Sequence, residues 1–119
     1  MGDFKDLKVW QRARAFAGQV YAVTQAFPTA ELYGLTSQVR RASVSIMSNL
    51  AEGSGRENDR EMLRYVRIAL GSSRELESHL ILAHDLQFSE SATLLALRTE
   101  VQEIRRMRAR LAKRLEGDD

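Results

Sequence analysis

The sequence predicts an all-α fold: an antiparallel, up-down-up-down four-helix bundle made by a single domain spanning residues 1–119. Three observations carry that expectation. Four long stretches repeat apolar residues at steps of three and four, the period of a helix with one buried face. No stretch of useful length alternates with period two, so no sheet is expected. The single proline and the Gly53-Ser54-Gly55 run fall between these stretches, where short connections favour antiparallel neighbours.

The first segment runs from about Phe4 to Phe27, with Leu7, Trp10, Ala13, Ala17, Val20, Thr24 and Phe27 on one face. Pro28 closes it, because the residue before a proline is pushed out of helical geometry. A short turn capped by Thr29 and interrupted at Gly34 precedes the second helix, which starts near Leu35 or Thr36. Leu32, Leu35, Val39, Ala42, Ile46, Asn49 and Gly53 form its heptad seam. Gly53-Ser54-Gly55 is expected to end that helix through a left-handed glycine. Asn58, with Glu61 three residues on, is an N-terminal capping pattern for the third helix. Met62, Tyr65, Ala69, Ser72, Leu76, Leu80 and Ala83 share one of its faces, and Leu63, Val66 and Leu70 widen the apolar arc. The fourth helix starts near Ser89 or Ser91 and reaches about Leu115, along the seam Leu94, Leu97, Val101, Ile104, Arg108, Leu111 and Leu115.

Composition excludes several classes. Hydrophobic residues are 44% of the chain, enough for one core and too many for a disordered segment. There is no cysteine, which removes disulfides and thiolate metal sites. No apolar run approaches the ~20 residues of a membrane span. Met1-Gly2-Asp3-Phe4-Lys5 lacks the basic-then-apolar order of a secretory signal, so a reduced cytoplasmic setting is expected. Net charge is only +2, but the basic residues are fifteen arginines against three lysines. The planar arginine fork suits phosphate and carboxylate, which fits either nucleic-acid contact or ion pairs within an oligomer.

The most informative stretch is Arg40 to Arg56. It keeps helical apolar spacing yet sets Asn49 and Glu52 among the apolar positions, where an unpartnered amide or carboxylate costs ~1–3 kcal/mol or more. With Arg40, Arg41 and Glu75 they are expected to form an interhelical polar network that fixes register. Glu52 or Glu75 would pair with Arg40 or Arg41.

Together these blocks carry a resemblance. Leu7, Val9 and Trp10, then Gly34 through Ala42, Ser45-Ile46, Asn49 through Gly53, Arg56, Ala69, Gly71-Ser72, Glu75-Leu76-Glu77 and Leu80 occur in order. The chain thereby resembles, over residues 4–88, the small bacterial four-helix-bundle proteins encoded in intervening sequences of 23S ribosomal RNA genes. Those are similar to the accessory proteins of diversity-generating retroelements. The resemblance implies a ring, a homopentamer, without known catalytic activity. Family members often carry proline after the Ser-Ile pair; here Met47 stands there, so any bend in that helix should be weaker. The fourth segment matches only in character.

Two arginine groups are candidate nucleic-acid contacts. Arg60, Arg64, Arg67 and Arg74 fall within an ~80° arc of the third helix, opposite its core face. Local pairs such as Arg60–Glu61 and Arg74–Glu77 would reduce them to a solvated face. Arg105, Arg106, Arg108, Arg110, Lys113 and Arg114 follow without an intervening acid, in the last turns of a helix whose dipole also favours cations. Arg108 differs, because it occupies a seam position and must snorkel or pair with an interior acid.

No catalytic, metal or cofactor site is expected. His79 and His84 diverge by ~140° on one helix and cannot easily share a metal. Gly53-Ser54-Gly55 lacks the lysine and preceding strand of a phosphate loop. The breadth of the third helix's apolar arc, with small residues at Ala13, Ala17, Gly18, Ala42, Ser43, Ala69, Gly71, Ser72 and Ser73, points to a second copy as partner. The expected function is thus a non-enzymatic homo-oligomeric scaffold that engages RNA or DNA, with or without a protein partner. The alternative is a protein-interaction adaptor whose arginines serve ion pairs between subunits.

Overall fold

The computed structural model describes residues 3–117, and among them every regular element is helical. The four long helices are α1 (Lys8–Thr24), α2 (Leu35–Ser54), α3 (Asp59–Asp85) and α4 (Ser91–Leu115). Short 3-10 turns at Phe4–Asp6 and Thr29–Glu31 precede α1 and α2.

The first segment is therefore shorter than its periodicity suggests. Leu7 is extended and separates the Phe4–Asp6 turn, which Asp3 caps by accepting from the Lys5 amide, from α1. At the other end Thr24 turns its hydroxyl back to the Val20 carbonyl, and the chain tightens so that the Phe27 amide reaches the Thr24 carbonyl. Phe27 is still buried, against Phe88. Glu31, in the short turn, caps α2 by accepting from the Leu35 amide at 3.0 Å. Gly34 permits this approach, since a Cβ there would lie 2.8 Å from the Glu31 carboxylate.

α2 runs unbroken through Met47. It ends where the glycines stand, although not in the expected manner. Gly55 keeps a right-handed conformation, with φ −87°. Gly53 acts by packing instead: a Cβ there would fall 2.9 Å from Tyr65 Cβ and 3.2 Å from the Met62 carbonyl. The Asn58 cap of α3 forms as expected, its side chain accepting from the Glu61 amide at 2.9 Å.

Contacting residues run in opposite order along α2 and α3 and along α3 and α4. Between α2 and α3, Gly53 meets Met62 and Tyr65, while Ser45 and Ser72 share a 2.8 Å hydrogen bond. Between α3 and α4, Val66 meets Arg108, Glu77 meets Arg98, and His84 meets Ser91. Arg40 of α2 reaches Thr24 at the end of α1, and Arg12 of α1 reaches Glu100 of α4. The result is a rod 44 Å long and about 20 Å across.

One core runs along the rod, centred on Phe16, Val39, Ile46, Leu50, Met62, Leu76, Leu80, Leu94, Val101 and Ile104. On α3, Leu63 and Val66 belong to this core, while Leu70 of the same stripe is half-exposed. Ser73, not Ser72, is the buried serine, while Tyr65 and Ser72 are half-exposed. The large apolar side chains that α3 does leave exposed are Ile68, Ile81 and Leu82, followed by Leu86 just beyond its end.

Candidate nucleic-acid interface

The α3/α4 seam is fastened by an acid that sequence reasoning placed elsewhere. The solvated-face alternative pairs Glu77 with Arg74 one turn earlier; instead it points across to α4. There it accepts from Arg105 at 2.7 Å, Gln102 at 2.8 Å and Arg98 at 3.4 Å. Only 14% of its side chain remains exposed. Burial opposes its charge, yet the hydrogen bonds from Arg105 and Gln102, the Arg105 charge and the Arg98 bond outweigh that and hold its pKa below the usual carboxylate value. The sequence signal was available: Glu77 and Arg105 both flank an apolar seam.

Below this clamp the two arginine groups converge. Arg74 of α3 lines an open groove of about 450 Å³ together with Arg105, Arg106 and Arg108 of α4, over a floor of Leu70 and Ala109. Arg108 is the central member. Its stem follows the seam, its Nη1 donates to the Val66 carbonyl at a stretched 3.5 Å, and its buried Nε has no acceptor. Burial lowers its pKa first, and the neighbouring charges of Arg74 and Arg67 lower it further, opposed among the described residues by Glu116. No interior acid pairs with it among the described residues. Positive charge is thus held at this groove without full compensation.

Not every candidate arginine joins. Arg110 and Arg114 turn to the opposite side of α4, where they line a groove with Asp6, Lys8 and Met107. Arg106 and Arg110 both pair with Glu103, at 2.9 and 3.7 Å. Glu103 is held below its usual pKa chiefly by the Arg106 hydrogen bond. Arg67 pairs with Glu116 at 3.3 Å. Arg64 reaches Glu61 at 3.6 Å and lies over the Tyr65 ring, with Arg56 against that ring too. Arg60, Arg74, Lys113 and Arg114 are exposed and form no ion pair among the described residues.

The polar residues of α2 are also distributed differently from the expected network. Within one chain, Glu52 pairs with Arg56 at 2.9 Å and Glu75 lies 3.3 Å from His79. Neither acid pairs with Arg40 or Arg41. Arg40 faces α1, donating to the Thr24 hydroxyl at 2.8 Å and lying over the Tyr21 ring, so its helix face turns it away from α3. Arg41 is exposed and shares an open groove with Gln38, Ser45 and Glu75. Asn49 satisfies its amide locally, on the Ser45 carbonyl and hydroxyl. No cluster of metal-ligating side chains occurs among the described residues, and no described helix is long and apolar enough to cross a membrane.

An all-helical four-helix protein with an arginine-lined groove between its last two helices is the class that this geometry defines. The chain belongs to the 23S rRNA-intervening sequence protein family, whose model matches residues 5–110. That match extends the likeness past residue 88 and well into α4. The fold is similar to a crystal structure from Bacteroides thetaiotaomicron, a protein of unknown function from the S23 ribosomal protein family. The two share 18% identity with a TM-score of 0.79, over 88% of this chain and 98% of the other. At that identity the likeness concerns the fold. No curated protein matches the sequence.

Proposed function

We propose that the protein is a non-enzymatic homo-oligomer, a cytoplasmic pentameric ring of up-down-up-down bundles, that holds the phosphate backbone of RNA or DNA in the α3/α4 groove. The observation that carries the binding reading is Arg108, a half-buried guanidinium with a buried unpaired N–H, beside Arg74 and without an acid of its own. A protein gains nothing in stability from such a charge, whereas a phosphate bound in the groove would compensate it. Arg105 is held by Glu77 and Arg106 by the more exposed Glu103, so Arg74 and Arg108 are the principal phosphate ligands and Arg106 joins them by leaving Glu103.

The opposed order of contacts along the α2/α3 and α3/α4 pairs supports the bundle topology. The ring reading draws its support from the apolar side chains left in water on α3, with Ile68, Ile81 and Leu82 each 41–45% exposed, and from the family membership. Symmetry would then repeat the groove around the assembly and strengthen attraction for polyanions.

Titration with mixed RNA tests the binding reading. Affinity should fall steeply with salt, and replacing Arg74 and Arg106 by alanine should reduce the log–log slope by about two, one per lost phosphate contact. Sedimentation tests the ring separately, and a stable monomer would remove it while leaving the groove. A second reading, an adaptor that binds no nucleic acid, is favoured by the pairing of Arg64, Arg67, Arg105, Arg106 and Arg110 with acids of the same chain. It requires no RNA binding at physiological salt.

A further inference from the structure

We infer that a cavity on the far side of the Glu77 clamp from the arginine groove binds a small aromatic monocarboxylate, of the size of benzoate. The site does not depend on the polyanion reading of that groove. His84, near the end of α3, and Ser91, Ala92, Leu94, Leu95 and Arg98, along the start of α4, line a half-open space of about 200 Å³. An apolar cavity of ~150 Å³ is enough for benzene, so this one has room for a single ring carrying a carboxylate.

Arg98 supplies the reason for an anion. Its carboxylate partner among the described residues is Glu77, which Arg105 and Gln102 already engage at 2.7 and 2.8 Å. Arg98 holds the long end, at 3.4 Å, and its buried Nε has no acceptor. Two guanidiniums therefore draw on one carboxylate, and the looser of the two lines the cavity. None of the side chains lining that cavity is acidic. A carboxylate placed there gains a charge-assisted bond from Arg98 and leaves the shorter Arg105 contact in place.

The apolar wall selects the body of the ligand. Leu95 is 59% exposed, whereas its neighbour Leu94 is fully buried. A ring laid against Leu94, Leu95 and Ala92 would remove that exposed surface from water, which an inorganic ion cannot do. His84 Nε2 and Ser91 Oγ lie 3.0 Å apart and satisfy each other, so this pair closes one wall and limits the ligand's length.

An NMR titration of the full chain with benzoate, read at the Leu94 and Leu95 methyls and the His84 ring, tests the site. Benzoate should shift these resonances with a Kd on the order of 1 mM, as suits a ligand of this size. Benzyl alcohol, which keeps the ring without the charge, and acetate, which keeps the charge without the ring, should each bind roughly tenfold more weakly. Arg98→Met should weaken benzoate by about tenfold. Leu95→Ser alters an exposed position and spares the Glu77 clamp, so it serves even if Arg98→Met folds poorly; it should weaken benzoate about threefold, read at Leu94 and His84. Equal affinity for benzoate and benzyl alcohol, or undiminished benzoate binding by Arg98→Met, overturns the anion site. Benzoate shifts confined to the arginine groove, with Leu94, Leu95 and His84 unmoved, overturn it as well.

Discussion

Replacing Arg108 by methionine should make the protein more stable and a poorer binder of polyanions at once. The side chain occupies a seam between Ile104 and Leu111, both buried. Its retained contributions are one stretched bond to the Val66 carbonyl and its aliphatic stem; against them stand a buried Nε without acceptor and repulsion from Arg74 and Arg67. A buried unpaired N–H costs about 1–3 kcal/mol, while the bond lost to Val66 is worth well under the ~1 kcal/mol of a good one. Methionine is of similar length and adapts to irregular gaps, so the packing of the stem is kept. Discounted for partial exposure, the net gain is about 1 kcal/mol, or roughly 3–5 °C in Tm for a chain of this size. Urea denaturation at matched protein concentration measures the stability, and RNA titration at fixed salt measures the binding, which should weaken several-fold. A loss of 1 kcal/mol or more on substitution would refute the reasoning, because it would mean that Arg108 is satisfied within the fold.

The Glu77 clamp gives the opposite signature: Glu77→Ala should destabilise by about 2–3 kcal/mol, since it strands Arg105 and Arg98 in a partly buried seam. Because the folded pKa of Glu77 lies below its unfolded value, its contribution is fully present above that unfolded value and lost as pH falls through the folded one. Acid titration of the wild type should therefore show a loss of stability below about pH 4.5 that Glu77→Ala no longer shows in full. Gly53→Ala should cost about 1–3 kcal/mol in thermal melts despite alanine's better helix propensity, because the added methyl collides with Tyr65 Cβ and the Met62 carbonyl; unchanged melting would mean that α2 and α3 separate without penalty.

Much of this molecule is legible in its sequence because helical periodicity reports burial directly. The seams through Val39, Ile46, Leu76, Leu80, Val101 and Ile104 are the observed core, and Asn58 caps α3 as its spacing requires. What periodicity cannot report is which neighbour a flanking residue faces. Arg40 turns to α1 and not to α3, and Glu77 reaches two α4 arginines while Arg74, one turn away, stays unpaired. Both depend on the rotation of one helix about its axis relative to the next. The second stripe of α3 divides for a related reason: Leu63 and Val66 serve the core, while Leu70 is half-exposed on the groove. The division of the α4 patch, with Arg105, Arg106 and Arg108 on one side and Arg110 and Arg114 on the other, follows from 100° per residue. Only the placement of α1 and α3 gives each side its meaning.

The small residues at the α2–α3 contact have a mechanical consequence. Gly53 against Tyr65 and Ser45 against Ser72 bring two backbones together with little side chain between them. Short levers of this kind leave few ways to slide or tilt, so α2 and α3 behave as a stiff spine. Breathing of the bundle is then directed to the α1 and α4 side, where long arginine and glutamate arms such as Arg12–Glu100 span the gap and can stretch without losing their grip.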